Sequence, residues 1–298
     1  MQLSINKASI SLLVLIALII FSSGCTGISP ADENPGENTT KITVSVSILP
    51  EEEFAKAVGG SLVNVNVMIP PGSSPHTYEL TPGQLKSLAK TDLYAMTGSG
   101  IEFELAWMEK IKGVSPDMKV INCSSGIELI SGPKGGTDPH IWLSSSNAKI
   151  MAENICDGLI EISPENEQYF LKNLGEYKNK LDVLDTKIRN ELSGREGETI
   201  LVYHPAWSYF AGDYSLNVMS VENEGKEPGP AELLEIIRTA REKGIKVIFA
   251  SPEQSTKSAE VIAEEINGTV VFIDTLPKNY LLNMESAAEA FAKEYGNA

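Results

Sequence analysis

Between residues 165 and 193 apolar side chains recur at spacings of three and four: Phe170, Leu174, Tyr177, Leu181, Leu184, Ile188 and Leu192. That period puts them on one face of a single helix of about eight turns. A mean helix in a globular protein has roughly three turns, so a crossover inside one small domain does not call for this length. Only about four heptads are present, and a strand–helix rhythm resumes at once, so the segment reads as a stiff rod joining two domains rather than as a coiled coil.

Both flanks of that rod alternate strands and helices. Before it, Ile42, Val44, Val46 and Ile48 interleave with Thr43, Ser45 and Ser47, a period of two that marks a strand. Further strands are expected over 63–69, 93–97 and 118–121, with helices over 51–58, 102–112 and 146–161. Thr81-Pro82-Gly83-Gln84 supplies a cap, a first-turn proline and a capping-box glutamine, so a helix starts there. After the rod, strands are expected over 199–203, 216–221, 245–250 and 269–273, and helices over 230–243 and 255–266. The expectation is an α/β chain with two β/α lobes, mainly parallel sheets and one long joining helix. The lobes span 41–163 and 195–298, with the helix over 164–194.

The first 40 residues have a different character. Lys7 precedes an apolar run over 10–21, about a dozen residues, which suits a signal-peptide core and falls short of the roughly 20 that span a bilayer. It ends in Ser22-Ser23-Gly24-Cys25, which resembles a lipoprotein cleavage site, with serine where an aliphatic residue is usual. Residues 1–24 are thus expected to be a signal peptide and Cys25 the lipidated residue. Residues 25–40, rich in Gly, Pro, Asn and Thr, form a solvated tether. The body of the protein is expected outside the cytoplasm, anchored to the outer face of the cell membrane.

A formal charge of −16 argues against a nucleic-acid partner, whose phosphates it would repel. Beyond Cys25 two cysteines remain, Cys123 and Cys156; a count of two leaves open whether they pair.

Only three histidines occur in 298 residues. His76 lies in Pro70-Pro71-Gly72-Ser73-Ser74-Pro75-His76-Thr77-Tyr78-Glu79, His140 in Asp138-Pro139-His140-Ile141-Trp142, and His204 in Tyr203-His204-Pro205-Ala206-Trp207. A neutral imidazole is the commonest ligand for a borderline metal such as Zn²⁺. Each alone is an ordinary loop residue; together, in turn-rich segments following apolar strands, they point to one shared site. Asp274 follows the strand over 269–273. In parallel sheets ligands gather outside the carboxyl ends of strands, so His204 and Asp274 from one lobe would meet His76 and His140 from the other in the cleft between them.

These stretches, with Glu222-Asn223-Glu224-Gly225-Lys226-Glu227-Pro228 and Ile273-Asp274-Thr275-Leu276, resemble the metal-binding solute receptors of zinc and manganese ABC importers, the cluster-9 or ZnuA/TroA-like family. The resemblance runs from about Ile42 to the C-terminus. It implies His76, His140 and His204 as nitrogen ligands and Asp274 as the carboxylate. It also implies Zn²⁺, alternatively Mn²⁺, as transported ligand, with an ABC permease and its ATPase subunit as partners. A monomeric receptor without catalytic residues is expected. The chain departs from the family in lacking a histidine-rich loop over 124–137 and in placing Thr275 where proline usually follows the aspartate, so Glu79 or water stands as an alternative fourth ligand.

Glu222 and Glu224 read as surface charges, slightly ahead of a role in positioning the cleft loops. Two other functions share the leader. A surface adhesin would carry the same metal site. A tethered zinc hydrolase would need an open coordination position and a base, and no H-E-x-x-H occurs.

Overall fold

Two four-stranded sheets, every pairing parallel, make up the frame of the computed structural model, which describes residues 40–132, 136–222, 226–252 and 257–294. The first contains β1 (Ile42–Val46), β2 (Val63–Val67), β3 (Leu93–Met96) and β4 (Lys119–Asn122) in the order β2-β1-β3-β4. The second contains β5 (Thr199–Val202), β6 (Asn217–Ser220), β7 (Val247–Ala250) and β8 (Thr269–Phe272) in the order β6-β5-β7-β8. Each sheet reverses its strand order after its first strand, which opens a crevice at the carboxyl edge where the next loops part.

The helices are α1 (Leu49–Gly59), α2 (Pro82–Leu88), α3 (Glu102–Val114), α4 (Ser145–Ile162), α5 (Glu167–Glu191), α6 (Ser208–Tyr214), α7 (Pro230–Glu242), α8 (Lys257–Ile266) and α9 (Tyr280–Glu294). At the end of β1 polar and apolar side chains are buried together: Ser45 in the strand and Ser47 just past it are as inaccessible as Val44 and Val46. Their hydroxyls are paired, Ser45 with Thr91 at 2.7 Å and Ser47 with Tyr94 at 3.0 Å. The strand alternation reports side-chain chemistry rather than exposure.

The long helix α5 runs unbroken for 25 residues. It buries Phe170, Tyr177, Leu181, Leu184 and Ile188. It packs along α4 and α9 and, as expected, joins in the chain the segments that carry the two sheets. One buried cluster links Phe54 and Trp142 of the first half to Phe210 and Phe291 of the second. Across it Tyr280 meets Phe54 edge-on at 5.0 Å and donates its backbone N–H to Glu53 Oε2 at 2.6 Å. The chain from Thr40 onward is accordingly one compact unit. Two helices, α6 and α9, were absent from the sequence expectation.

Residues 1–39 lie outside the described residues, and with them the signal peptide, Cys25 and nearly all of the tether. Among the described residues no helix is long and apolar enough to cross a membrane. Cys123 and Cys156 are free thiols, both buried.

Candidate metal centre

Each histidine reaches the cleft from a loop at the carboxyl edge of a sheet. His76 sits in the segment between β2 and α2, whose end is fixed by the expected cap. Thr81 Oγ1 accepts the Gln84 N–H at 3.3 Å, and Gln84 Oε1 accepts the Thr81 N–H at 3.0 Å. Gln84 also accepts from the Tyr78 hydroxyl and donates to Met68 O, closing the loop that carries His76. His140 leads into a single 3-10 turn, Ile141–Leu143, after which the Ser144 hydroxyl caps α4. His204 lies two residues past β5.

The three rings converge through Nε2. His204 Nε2 is 3.3 Å from His76 Nε2 and 3.1 Å from His140 Nε2. They form the potential metal-holding group among the described residues, with ligand atoms all within 4.8 Å of one another. Two nitrogens each roughly 2.05 Å from a tetrahedral Zn²⁺ lie about 3.3 Å apart, so the spacing suits that ion.

Behind every ring stands a carboxylate. His76 Nδ1 is 2.8 Å from Glu102 Oε2, His140 Nδ1 is 2.8 Å from Asp138 Oδ1, and His204 Nδ1 is hydrogen-bonded to Glu222 Oε1. An ionised carboxylate only accepts, so Nδ1 carries the proton in each neutral ring and Nε2 turns a lone pair inward. Three lone pairs then face one another with no donor between them, an arrangement that a cation relieves. Carboxylate partners of this kind fix the tautomer and raise ligand basicity.

Burial and hydrogen bonding act on three titratable groups of the site. His140 and His204 are buried, while His76 is partly exposed. Burial is the main cause that holds the His140 imidazole below its usual range, where it stays neutral and able to bind metal. The hydrogen bond from His76 holds Glu102 below the ordinary carboxylate range. Burial alone would raise Asp138, but its hydrogen bonds with His140 and Ser208 outweigh that and keep it low.

The cleft itself has a volume of about 40 Å³ and is lined by Pro75, Ile101, Trp142, Thr275 and Leu276 besides the histidines. Organic ligands occupy pockets of roughly 300–1,000 Å³, so this one suits an ion. Its two walls are tied together: Trp142 Nε1–H donates to Thr275 O at 2.7 Å, and the Tyr209 hydroxyl donates to Asp138 O at 2.9 Å.

Asp274 stands at the end of β8 but outside the histidine group. Its Oδ1 accepts the Leu276 N–H at 2.7 Å, an Asx turn that shapes the wall formed by Thr275 and Leu276. Glu79 is exposed and likewise outside the group. Glu222, expected at the surface, is instead buried against His204; Glu224 lies outside the described residues. The three supporting carboxylates were not foreseen in that role. For Glu222 a signal existed, since Val202 pairs with Ser220 in parallel register and two further residues along each chain bring His204 beside Glu222. For Asp138 it was the spacing of two residues from His140.

Comparison with known proteins identifies the family of the chain. Residues 44–294 match the family described as ZnuA, zinc-uptake complex component A, periplasmic. A crystal structure of ZnuA superposes with a TM-score of 0.83 at 36% identity, covering 85% of this chain and 99% of that one. The high-affinity zinc uptake system protein ZnuA of Bacillus subtilis is 27% identical, over 89% of this chain and 88% of its own. The manganese ABC transporter substrate-binding lipoprotein PsaA of Streptococcus anginosus is 25% identical, over 89% and 90%. This chain belongs to the ZnuA family of periplasmic zinc-uptake components.

Proposed function

We propose that this protein is an extracytoplasmic receptor that captures a transition-metal cation and delivers it to an ABC permease driven by its ATPase subunit. The observation that carries the reading is the convergence of three Nε2 atoms, each on a ring whose Nδ1 is held by a carboxylate. Zn²⁺ is the favoured cargo, because three imidazoles at near-tetrahedral spacing suit it and the donor set is nitrogen-rich. Mn²⁺ is the alternative, and the name of the streptococcal relative accords with it. His76, His140 and His204 are the proposed protein ligands, with Asp274 proposed as the fourth. An ion-sized cleft whose walls are tied together gives no room for a hydrolytic substrate.

Residues 1–24 are proposed to be removed as a signal peptide, leaving Cys25 lipidated and residues 25–40 as the tether between membrane and receptor. Single acyl chains anchor only marginally, so at least two are expected. The lobes are proposed as 41–163 and 195–298, with 164–194 joining them, and the receptor as a monomer.

Deletion of the gene tests the reading. Cellular zinc accumulation under zinc limitation should fall and be restored by the parent sequence but not by His140→Ala. Unchanged accumulation with lost surface adhesion would replace the importer reading by the adhesin one.

A further inference from the structure

The first half of the molecule buries two carboxyl groups that take no part in the histidine cluster. Glu51 of α1 is fully buried and Glu104 of α3 nearly so, and both hold Ser47 at the end of β1. Glu51 Oε2 accepts the Ser47 and Ile48 N–H groups at 3.0 and 3.2 Å, and Glu104 Oε1 accepts the Ser47 hydroxyl at 2.5 Å. Glu104 takes two more donors, the N–H of Thr97 on Oε1 at 2.6 Å and the N–H of Gly98 on Oε2 at 2.8 Å. Those groups belong to the turn between β3 and α3. Gly98 has φ 75°, and a Cβ there would meet Asn122 Oδ1 at 1.7 Å, so the turn requires glycine.

That turn braces two of the three histidine loops. The Ser99 hydroxyl donates to Pro139 O at 2.5 Å, immediately before His140, and the Thr137 hydroxyl donates to Ser99 O at 2.6 Å. At its other end Glu102 opens α3 and holds His76 Nδ1, while the Phe103 N–H donates to Pro75 O at 3.2 Å.

Two carboxylates buried around one serine cannot both stay ionised without a large cost. Burial, then the charge of Glu104, pushes Glu51 up to about 8, and burial raises Glu104 as well. The other titratable groups facing the pair are Tyr94 of β3, whose hydroxyl pairs with Ser47, and Cys123 beyond β4. Burial and the same two carboxyls push both upward, so both are neutral. Glu104, with three donors, is the ionised member. Glu51, whose buried Oε1 has no hydrogen-bond partner, is the neutral acid.

We propose that Glu104 is a positioning residue for metal capture, fixing through Thr97 and Gly98 the turn that braces the loops of His76 and His140. This rests on the receptor reading for its purpose, but its mechanical content concerns the metal-free protein.

The test compares Glu104→Gln with Glu51→Gln in the purified full chain. Glutamine imitates a neutral acid, so Glu51→Gln should keep zinc affinity within about twofold. Glu104→Gln removes the charge that gathers three donors, and its zinc affinity should fall roughly tenfold, the lower end seen when outer partners of metal ligands are removed. Backbone amide exchange of the metal-free protein over 75–78, 97–102 and 137–140 should quicken in Glu104→Gln and not in Glu51→Gln. Should Glu104→Gln fold poorly, Ser99→Ala leaves the buried pair intact and should still weaken zinc severalfold. Parent-like affinity and exchange in Glu104→Gln, or equal losses in both glutamine variants, would overturn the proposal. A parent that takes up no zinc would sink the receptor reading instead, while the exchange data would still decide whether Glu104 holds the loops.

Discussion

His204 Nε2 stands 3.1 Å from His140 Nε2, although the two residues are 64 positions apart and α5 lies between them in the chain. Neither ring can donate to the other while its Nδ1–H is committed to Glu222 or Asp138. The rings therefore turn acceptor nitrogens toward one another, a place we propose is kept for a cation, braced by carboxylates and by a packed core that spans both sheets.

Glu222 accepts from His204 Nδ1 and lies outside the histidine group, so its proposed part is to set the orientation and basicity of that ring. Glu222→Gln should lower zinc affinity roughly tenfold with one site retained, measured by competition against a chelator. Parent-like affinity would show that the contact is incidental.

Asp274 separates two roles. As a fourth ligand, its loss in Asp274→Ala weakens zinc binding while the metal-free protein melts within about 2 °C of the parent. As a turn residue for Leu276, its loss lowers the metal-free melting temperature and spares affinity. We expect the first, because Asp274 directly precedes Thr275 and Leu276, which line the cleft beside the histidines. Calorimetric melting beside a zinc titration distinguishes them.

Glu51 gives the protein a pH dependence with a definite sign. Its folded value of about 8 lies above the usual 4.5, so between these values the native state keeps a proton that the unfolded chain releases. This contribution is intact below about pH 4.5 and lost as pH rises through 8. Relative to Glu51→Gln, the metal-free parent should lose on the order of 2–4 kcal/mol between pH 5 and pH 9. Denaturant melts at both pH values check it, and parallel curves for the two proteins would contradict it.

Much of this was legible in the sequence because the signals are local. The run from Phe170 to Leu192 shows a helical period, Thr81-Pro82 and Gln84 carry their own cap, and the histidine segments follow strand ends. The supporting carboxylates were less legible, since Glu102 reaches His76 from another element and Glu222 meets His204 through strand register. Helix α9 escaped because much of its buried face is alanine, Ala287 and Ala288 between Met284 and Phe291, which gives a weak apolar signal. Asp274 shows the reverse: its position at a strand end was visible, but the backbone N–H that it holds was not.

Titration of the metal-free protein with zinc, with elemental analysis of the complex, tests the central claim most directly when the parent is compared with His140→Ala. One zinc per chain in the parent, and an affinity at least about 100-fold weaker in the variant, is the predicted result, since His140 supplies one of three converging nitrogens. Unchanged affinity and stoichiometry in His140→Ala would contradict it.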